Sequence, residues 1–117
     1  AYTVTAASDL AVVTAIRLEV YAHESLPMNG PGRADNGNFH LSEFSAALFR
    51  PGHPEPVKLA FRRATADYNQ PDWDIAKAID GNGGTAWGIH PNEGRNHYAV
   101  FELAEPLKLA PGDRLSI

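Results

Sequence analysis

The string Ala78-Ile79-Asp80-Gly81-Asn82-Gly83-Gly84-Thr85-Ala86-Trp87 has the most specific potential for chemistry in this sequence. It reads as a tight glycine-rich loop after a helical turn. It offers one carboxylate (Asp80), one hydroxyl (Thr85) and several carbonyl oxygens free of regular pairing. Calcium and similar hard cations take about six to eight oxygen ligands of this mixed kind. Glycines let the backbone curl so that carbonyls point inward. The same string also fits an ordinary Asp-Gly turn that binds nothing, and an ion held there would be structural rather than catalytic. Trp87 is expected to begin a strand and to pack in the core.

Three further polar stretches read as loops, at residues 29–38, 69–74 and 90–97. The first brings together Arg33, Asp35, Asn36 and Asn38. An arginine beside amides suits a hydroxyl-rich ligand, and the same residue types also staple a solvated turn through their own hydrogen bonds. The second carries Trp73 between Pro71 and Asp74. An exposed indole there could stack on the apolar face of a sugar, whereas a buried one would belong to the rim of the core. The third carries His90, Arg95, Asn96 and His97. His90 and His97 lack a nearby third partner for zinc.

These loops need a rigid frame, and the rest of the sequence describes one. Nine prolines and ten glycines separate apolar runs too short for ordinary helices, which favours an all-β sandwich or barrel. Ile16, Leu18 and Val20 alternate with Arg17, Glu19 and Tyr21; Val57, Leu59 and Phe61 with Lys58, Ala60 and Arg62; Ala99, Phe101 and Leu103 with Tyr98, Val100 and Glu102. Each pattern predicts a half-buried strand. Leu107, Leu109, Leu115 and Ile117 mark the last elements, divided by a turn at Pro111-Gly112-Asp113. Phe39 and Leu41 share one parity while Phe44, Ala46 and Leu48 share the other, so a bulge is expected near Ser42-Glu43. The one helix expected is a turn or two over residues 74–79, capped by Asp72 or Asp74.

A chain of 117 residues makes one domain with a real core. The absence of cysteine removes disulfides, thiolate zinc sites and covalent haem attachment. A net charge of −4 with scattered basic residues argues against nucleic acid as a partner. No apolar run approaches the roughly 20 residues needed to span a bilayer. Both ends read as strands, so native sequence is expected to continue beyond them, leaving room for a closing strand after Ile117. No spacing singles out a catalytic carboxylate pair, nucleophile elbow or phosphate loop, so no enzymatic activity is expected.

Asp80-Gly81-Asn82 with Thr85 and Trp87 resembles the loop of the discoidin, or coagulation factor V/VIII type C, family, which includes the family 32 carbohydrate-binding modules. The resemblance implies a galactose-binding-like jelly roll with a structural calcium ion. Its ligands would be the Lys77 carbonyl, an Asp80 carboxylate oxygen, the Asn82 carbonyl, and the Thr85 carbonyl and hydroxyl. Leu41-Ser42-Glu43-Phe44 looks like the family's acidic strand, implying further ligands in the Ser42 carbonyl and the Glu43 side chain. In the family that strand usually follows the loop; here it precedes it. Such modules hold galactose-type sugars with His, Arg, Asn and an aromatic ring, residue types present here at Arg33, Asn36, Trp73, His90, Arg95, Asn96 and His97. Ala15-Ile16-Arg17-Leu18-Glu19-Val20, Gly30-Pro31-Gly32-Arg33 and Asn36-Gly37-Asn38-Phe39 further resemble a module of large planctomycete proteins that also carry a cytochrome c domain.

The expectation is therefore a non-catalytic module of an extracytoplasmic protein, tethering its other domains to a polysaccharide or glycan. The alternative is a structural interdomain sandwich without sugar binding. A third possibility is adhesion to a protein or membrane surface, which apolar spikes at the loop tips would favour.

Overall fold

The computed structural model describes residues 1–117. The chain is mostly β, with seven strands in two antiparallel sheets and only two short 3-10 segments, Pro27–Asn29 and Ile75–Ile79. The strands are β1 (Thr5–Ala6), β2 (Val12–Val20), β3 (Ala47–Phe49), β4 (Val57–Lys58), β5 (Phe61–Ala66), β6 (His97–Lys108) and β7 (Arg114–Ser116). One sheet runs β1-β7-β3-β4 and the other β2-β6-β5. No helix is long and apolar enough to cross a membrane.

Alternation decides which faces are buried. On central β6, His97, Ala99, Phe101 and Leu103 are buried. On β2, Ile16, Leu18 and Val20 turn inward and Arg17 and Glu19 turn out. The expected strand through residues 57–61 is divided between the sheets. Leu59 N–H donates to the Ala46 carbonyl on one side, and the Ala60 carbonyl accepts from Ala104 N–H on the other. The chain therefore changes sheet between these two residues. A register shift between Phe61 and Arg63 then turns Arg62 and Arg63 outward together, where Glu102 pairs with both.

The parity change after Leu41 is also real, but the chain accommodates it without a bulge in a ladder. Leu41 and Trp87 form an isolated bridge, exchanging backbone bonds of 2.9 and 3.0 Å. The chain then leaves regular pairing until β3. Ser42 and Glu43 are both exposed, and Phe44, Ala46 and Leu48 are buried. Trp87 lies in this bridge, not at the start of a strand, and it is completely buried.

The core gathers Phe44, Ile75, Ala78, Trp87, Ile89, Ala99 and Phe101. Phe44 stacks on Phe101 with ring centroids 3.7 Å apart, and Phe39 meets Trp87 edge-on at 5.0 Å. Full burial of a ring such as that of Phe101 contributes about 1.5–3 kcal/mol relative to exposure. The indole N–H of Trp87 donates to the Tyr68 carbonyl at 2.9 Å, so the ring enters the core with no orphaned polar atom.

The four-stranded sheet is clamped at one end by an ion pair. Asp113, 5% exposed, accepts from the Arg50 guanidinium through both oxygens and from Ala110 N–H at 2.9 Å. Arg50 follows β3 and Asp113 precedes β7, so the pair clamps these neighbours at one end. The Arg50 hydrogen bonds and the Ala110 N–H lower the Asp113 pKa from 3.8 to about 2. A carboxyl with a depressed native pKa contributes stability that is complete above its unfolded value and is lost as pH falls through the native one. Thermal melts from neutral pH down to pH 2 should therefore show acid loss of stability between pH 3.8 and about 2. Asp113→Asn should be less stable at neutral pH and lack that component of the acid loss.

Candidate functional site

Sheet register places the three polar loops at one end of the molecule. β2 ends at Val20, opposite His97 at the start of β6, and β5 ends at Ala66, opposite Ala99. The chain segments after β2, after β5 and before β6 thus emerge together. Two side chains tie them. The buried Asn38 donates through its amide nitrogen to Gln70 Oε1 at 3.0 Å and accepts from Ile89 N–H at 3.0 Å. Gln70 Oε1 also accepts from His90 N–H at 3.2 Å. Gly94 N–H donates to the Gly30 carbonyl at 2.7 Å, joining the first and third loops again. Backbone N–H groups that would otherwise be costly orphans thereby find partners.

The expected ligand-binding residues divide into two groups. Arg33 and Arg95 are exposed and carry no side-chain hydrogen bond or ion pair. His90 is exposed, with Nδ1 2.7 Å from Glu93. Trp73 is half-buried, its ring stacked on His40 at 4.0 Å with planes 10° apart, so one face of the indole is already covered. The others serve the loops themselves. Asn36 Oδ1 accepts from Asn38 N–H at 3.0 Å, and Asn96 Oδ1 accepts from Ala22 N–H at 2.8 Å. His97 is 2% exposed, with Nδ1 2.9 Å from Asp67 and Nε2 2.7 Å from the Asn92 carbonyl. Its ring belongs to the core side of β6, and both nitrogens are already engaged, so it offers nothing to a ligand. Asp35 is exposed at the tip of the first loop.

Sequence reasoning passed over His40, Gln70 and Glu93. His40 carried a signal, since it has outward parity between Phe39 and Leu41. Gln70 had none, because its role depends on where Asn38 and His90 arrive. The parity of Ala99, Phe101 and Leu103 extends to His97 and marks it as an inward residue.

The Asp80 loop forms as a compact oxygen-rich turn. Asp74 caps the preceding 3-10 helix by accepting from Ala76 N–H at 3.0 Å. Asp80 then accepts from Asn82 N–H at 2.8 Å and from the Thr85 hydroxyl at 2.7 Å, and that hydroxyl also lies 2.9 Å from the Asn82 carbonyl. Gly81 has φ of 75°, a left-handed conformation that favours glycine.

Phe44 N–H donates to the Ala78 carbonyl at 2.6 Å, which brings Ser42 and Glu43 beside this loop. Hydrogen bonds from Thr85 and Asn82 hold Asp80 below the ordinary carboxylate range. Partial burial opposes them, while the adjacent Glu43 carboxyl and the Lys77 charge add to the lowering. The Lys77 ammonium reaches the Asp72 carbonyl. A cleft of about 190 Å³ beside the loop is lined by Glu43, Phe44, Lys58, Phe61, Ile79 and Gly81.

The donor chemistry fits a hard cation. Two carboxyls, a hydroxyl and nearby carbonyls are oxygen ligands of the calcium type. No three His, Cys, Asp or Glu side chains converge anywhere in the chain, so the protein oxygens on offer at this loop are two carboxyls supplemented by a hydroxyl and backbone carbonyls. Comparisons with protein-family models, curated proteins and solved structures found no match to this chain.

Two substitutions test the scaffold that joins the loops. Asn38→Ala removes the link between Gln70 and Ile89 N–H and should cost about 1–3 kcal/mol in denaturant unfolding. Gly32→Ala should cost more than Gly81→Ala. A Cβ at Gly32 would lie 1.8 Å from the Asn38 carbonyl oxygen, whereas one at Gly81 meets nothing within 4 Å. The penalty at Gly81 is then the left-handed backbone alone, about 1–2 kcal/mol.

Proposed function

We propose that this chain is a non-catalytic carbohydrate-binding module with a structural calcium ion, built on a galactose-binding-like jelly roll in an extracytoplasmic protein. The observation that carries this reading is the convergence of the three loops. Trp73 and His40 form an aromatic stack there, and Arg33, Arg95 and His90 sit exposed on loops tied to one another. An aromatic surface orients the apolar face of a sugar, and polar side chains on the surrounding loops can bind its hydroxyls. The contacts fall on Arg33, Trp73, His90 and Arg95, while Asn36, Asn96 and His97 shape the loops. The module would raise the local concentration of its parent protein at a polysaccharide through multivalent attachment.

The Asp80 loop supports the calcium part. Asp80, the Asn82 carbonyl and Thr85 form a connected oxygen cluster with Glu43 adjacent. The carbonyls of Ser42, Lys77 and Thr85 would complete the shell. A cation between the two carboxyls would take an oxygen ligand from each.

A second reading, a structural module packed against neighbouring domains, draws on a different observation. Tyr2, Val4, Leu10 and Val12, which flank β1 and lead into β2, are all exposed. A surface of that composition suits a covering protein partner.

A glycan array in calcium-containing buffer, with titration of any hit, separates the two. The carbohydrate reading expects a specific sugar whose binding is weakened by Trp73→Ala and by Arg95→Ala, with the melt unchanged in Arg95→Ala. A blank on folded, calcium-loaded protein would favour the interdomain reading. For the ion, exhaustive chelation and Asp80→Ala should each lower Tm, and calcium should rescue only the parent. A ligand at 100 times its Kd stabilises the folded state by about 2.7 kcal/mol. An unchanged melt after verified removal of calcium removes the ion from the proposal.

A further inference from the structure

A sheet edge exposes unpaired backbone groups, and folded proteins usually blunt it by shortness, bulges or charge. This molecule has four edge strands, β1 and β4 in one sheet and β2 and β5 in the other. β1 and β4 are two residues each. β5 is interrupted by its register shift between Phe61 and Arg63. β2 has a shift of its own between Val13 and Ala15, but from Ala15 to Val20 it pairs with β6 in unbroken register, a longer regular stretch than the Arg63–Ala66 part of β5.

Hydrogen-bond parity shows which groups of β2 face the open side. The Tyr98 carbonyl accepts from Asp67 N–H, and the Ala60 carbonyl accepts from Ala104 N–H. Even-numbered residues of β6 therefore turn their backbone groups toward β5, and odd-numbered ones turn toward β2. Ala99 is opposite Leu18, and Phe101 is opposite Ile16. Ile16, Leu18 and Val20 thus bond inward to β6. The N–H and C=O groups of Ala15, Arg17 and Glu19 point to the open edge.

We infer that β2 is the pairing edge of a homodimer, in which two copies of this chain join antiparallel about a two-fold axis at Leu18. Such an axis sets Arg17 opposite the second copy's Glu19 and Glu19 opposite its Arg17. Both contacts are opposite in charge, and both are hydrogen-bonded positions of the new ladder. Ala15 falls opposite Tyr21, whose ring is 61% exposed in the single chain. Leu18 meets its own copy, and Ile16 meets Val20. These inward apolar side chains of β2 are only half-buried, while their counterparts Ala99 and Phe101 on β6 are completely buried. A second β2 would supply the missing cover and make one continuous six-stranded sheet from two three-stranded ones. Within one chain Arg17 and Glu19 already pair at 2.7 Å, with Arg17 over the Tyr98 ring at 4.0 Å, so both side chains lie at the face where the exchange occurs.

Sedimentation velocity over a concentration series reads the assembly, with thermal melts to verify folding. The parent is expected to show a monomer–dimer equilibrium. Arg17→Glu and Glu19→Arg should each weaken self-association by about tenfold or more, because two attractive contacts become repulsive. Mixed in equal amounts, these two variants should form a heterodimer, since every contact between positions 17 and 19 is then opposite in sign. Glu19→Pro removes an N–H that faces the open edge and should abolish the dimer while the chain stays folded. A parent that stays monomeric at its highest soluble concentration overturns the inference. So does a dimer equally strong in both single variants, or a mixture of folded variants that remains monomeric. The mixing experiment decides the question even if Glu19→Pro does not fold.

Discussion

The burial of a single indole, that of Trp87, holds the Asp80 loop and the three polar loops in one frame. Its backbone bridges Leu41, just ahead of Ser42 and Glu43. Its ring N–H reaches Tyr68, just ahead of the second polar loop. Upstream lies the Asp80 loop, and downstream Ile89 and His90 lead into the third polar loop. A completely buried tryptophan must find a partner for its one polar atom and must fill its volume without a void. Meeting both demands fixes where four chain segments meet, before any loop residue has contributed a contact of its own.

The polar loops build outward from that fixed point by division of labour. Asn38 and Gln70 satisfy backbone groups between loops; Asn36 and Asn96 do so within or beside them; His97 sits beneath, joined to Asp67 and Asn92. Because these side chains are occupied, the cations Arg33 and Arg95 can stay exposed on backbone that is already held. The Asp80 loop follows the same logic in miniature, with the Thr85 hydroxyl and the Asn82 N–H on one carboxylate.

Much of this was legible in the sequence where the governing physics is local. Alternation identified the buried faces of β2 and β6, and the change of parity after Leu41 placed Phe44 and Leu48 in the core. Capping chemistry pointed to a short helix behind Asp72 or Asp74, and Asp74 is the cap. The switch between sheets at Leu59 and Ala60 was not legible, because alternation is the same whichever neighbour a strand takes. At the candidate sites, residue type marked Asp80, Thr85 and Trp73 as candidates by their chemistry alone. It could not separate Arg95 from Asn96, since exposure and internal bonding are set by segments distant in sequence.

The pairing of Val4 with Ile117 has a mechanical consequence. Each donates its N–H to the other's carbonyl, at 2.8 and 2.9 Å, and β1 continues the ladder with β7 through Thr5 and Ala6. Because the strands are antiparallel, both extremities of the chain leave from the same point of this ladder. Tension applied between them strains its hydrogen bonds in sequence, Val4 with Ile117 first, rather than all at once. The four-stranded sheet is thus arranged to peel under a pulling force, whereas β2, β6 and β5 lie beyond the rungs that separate first.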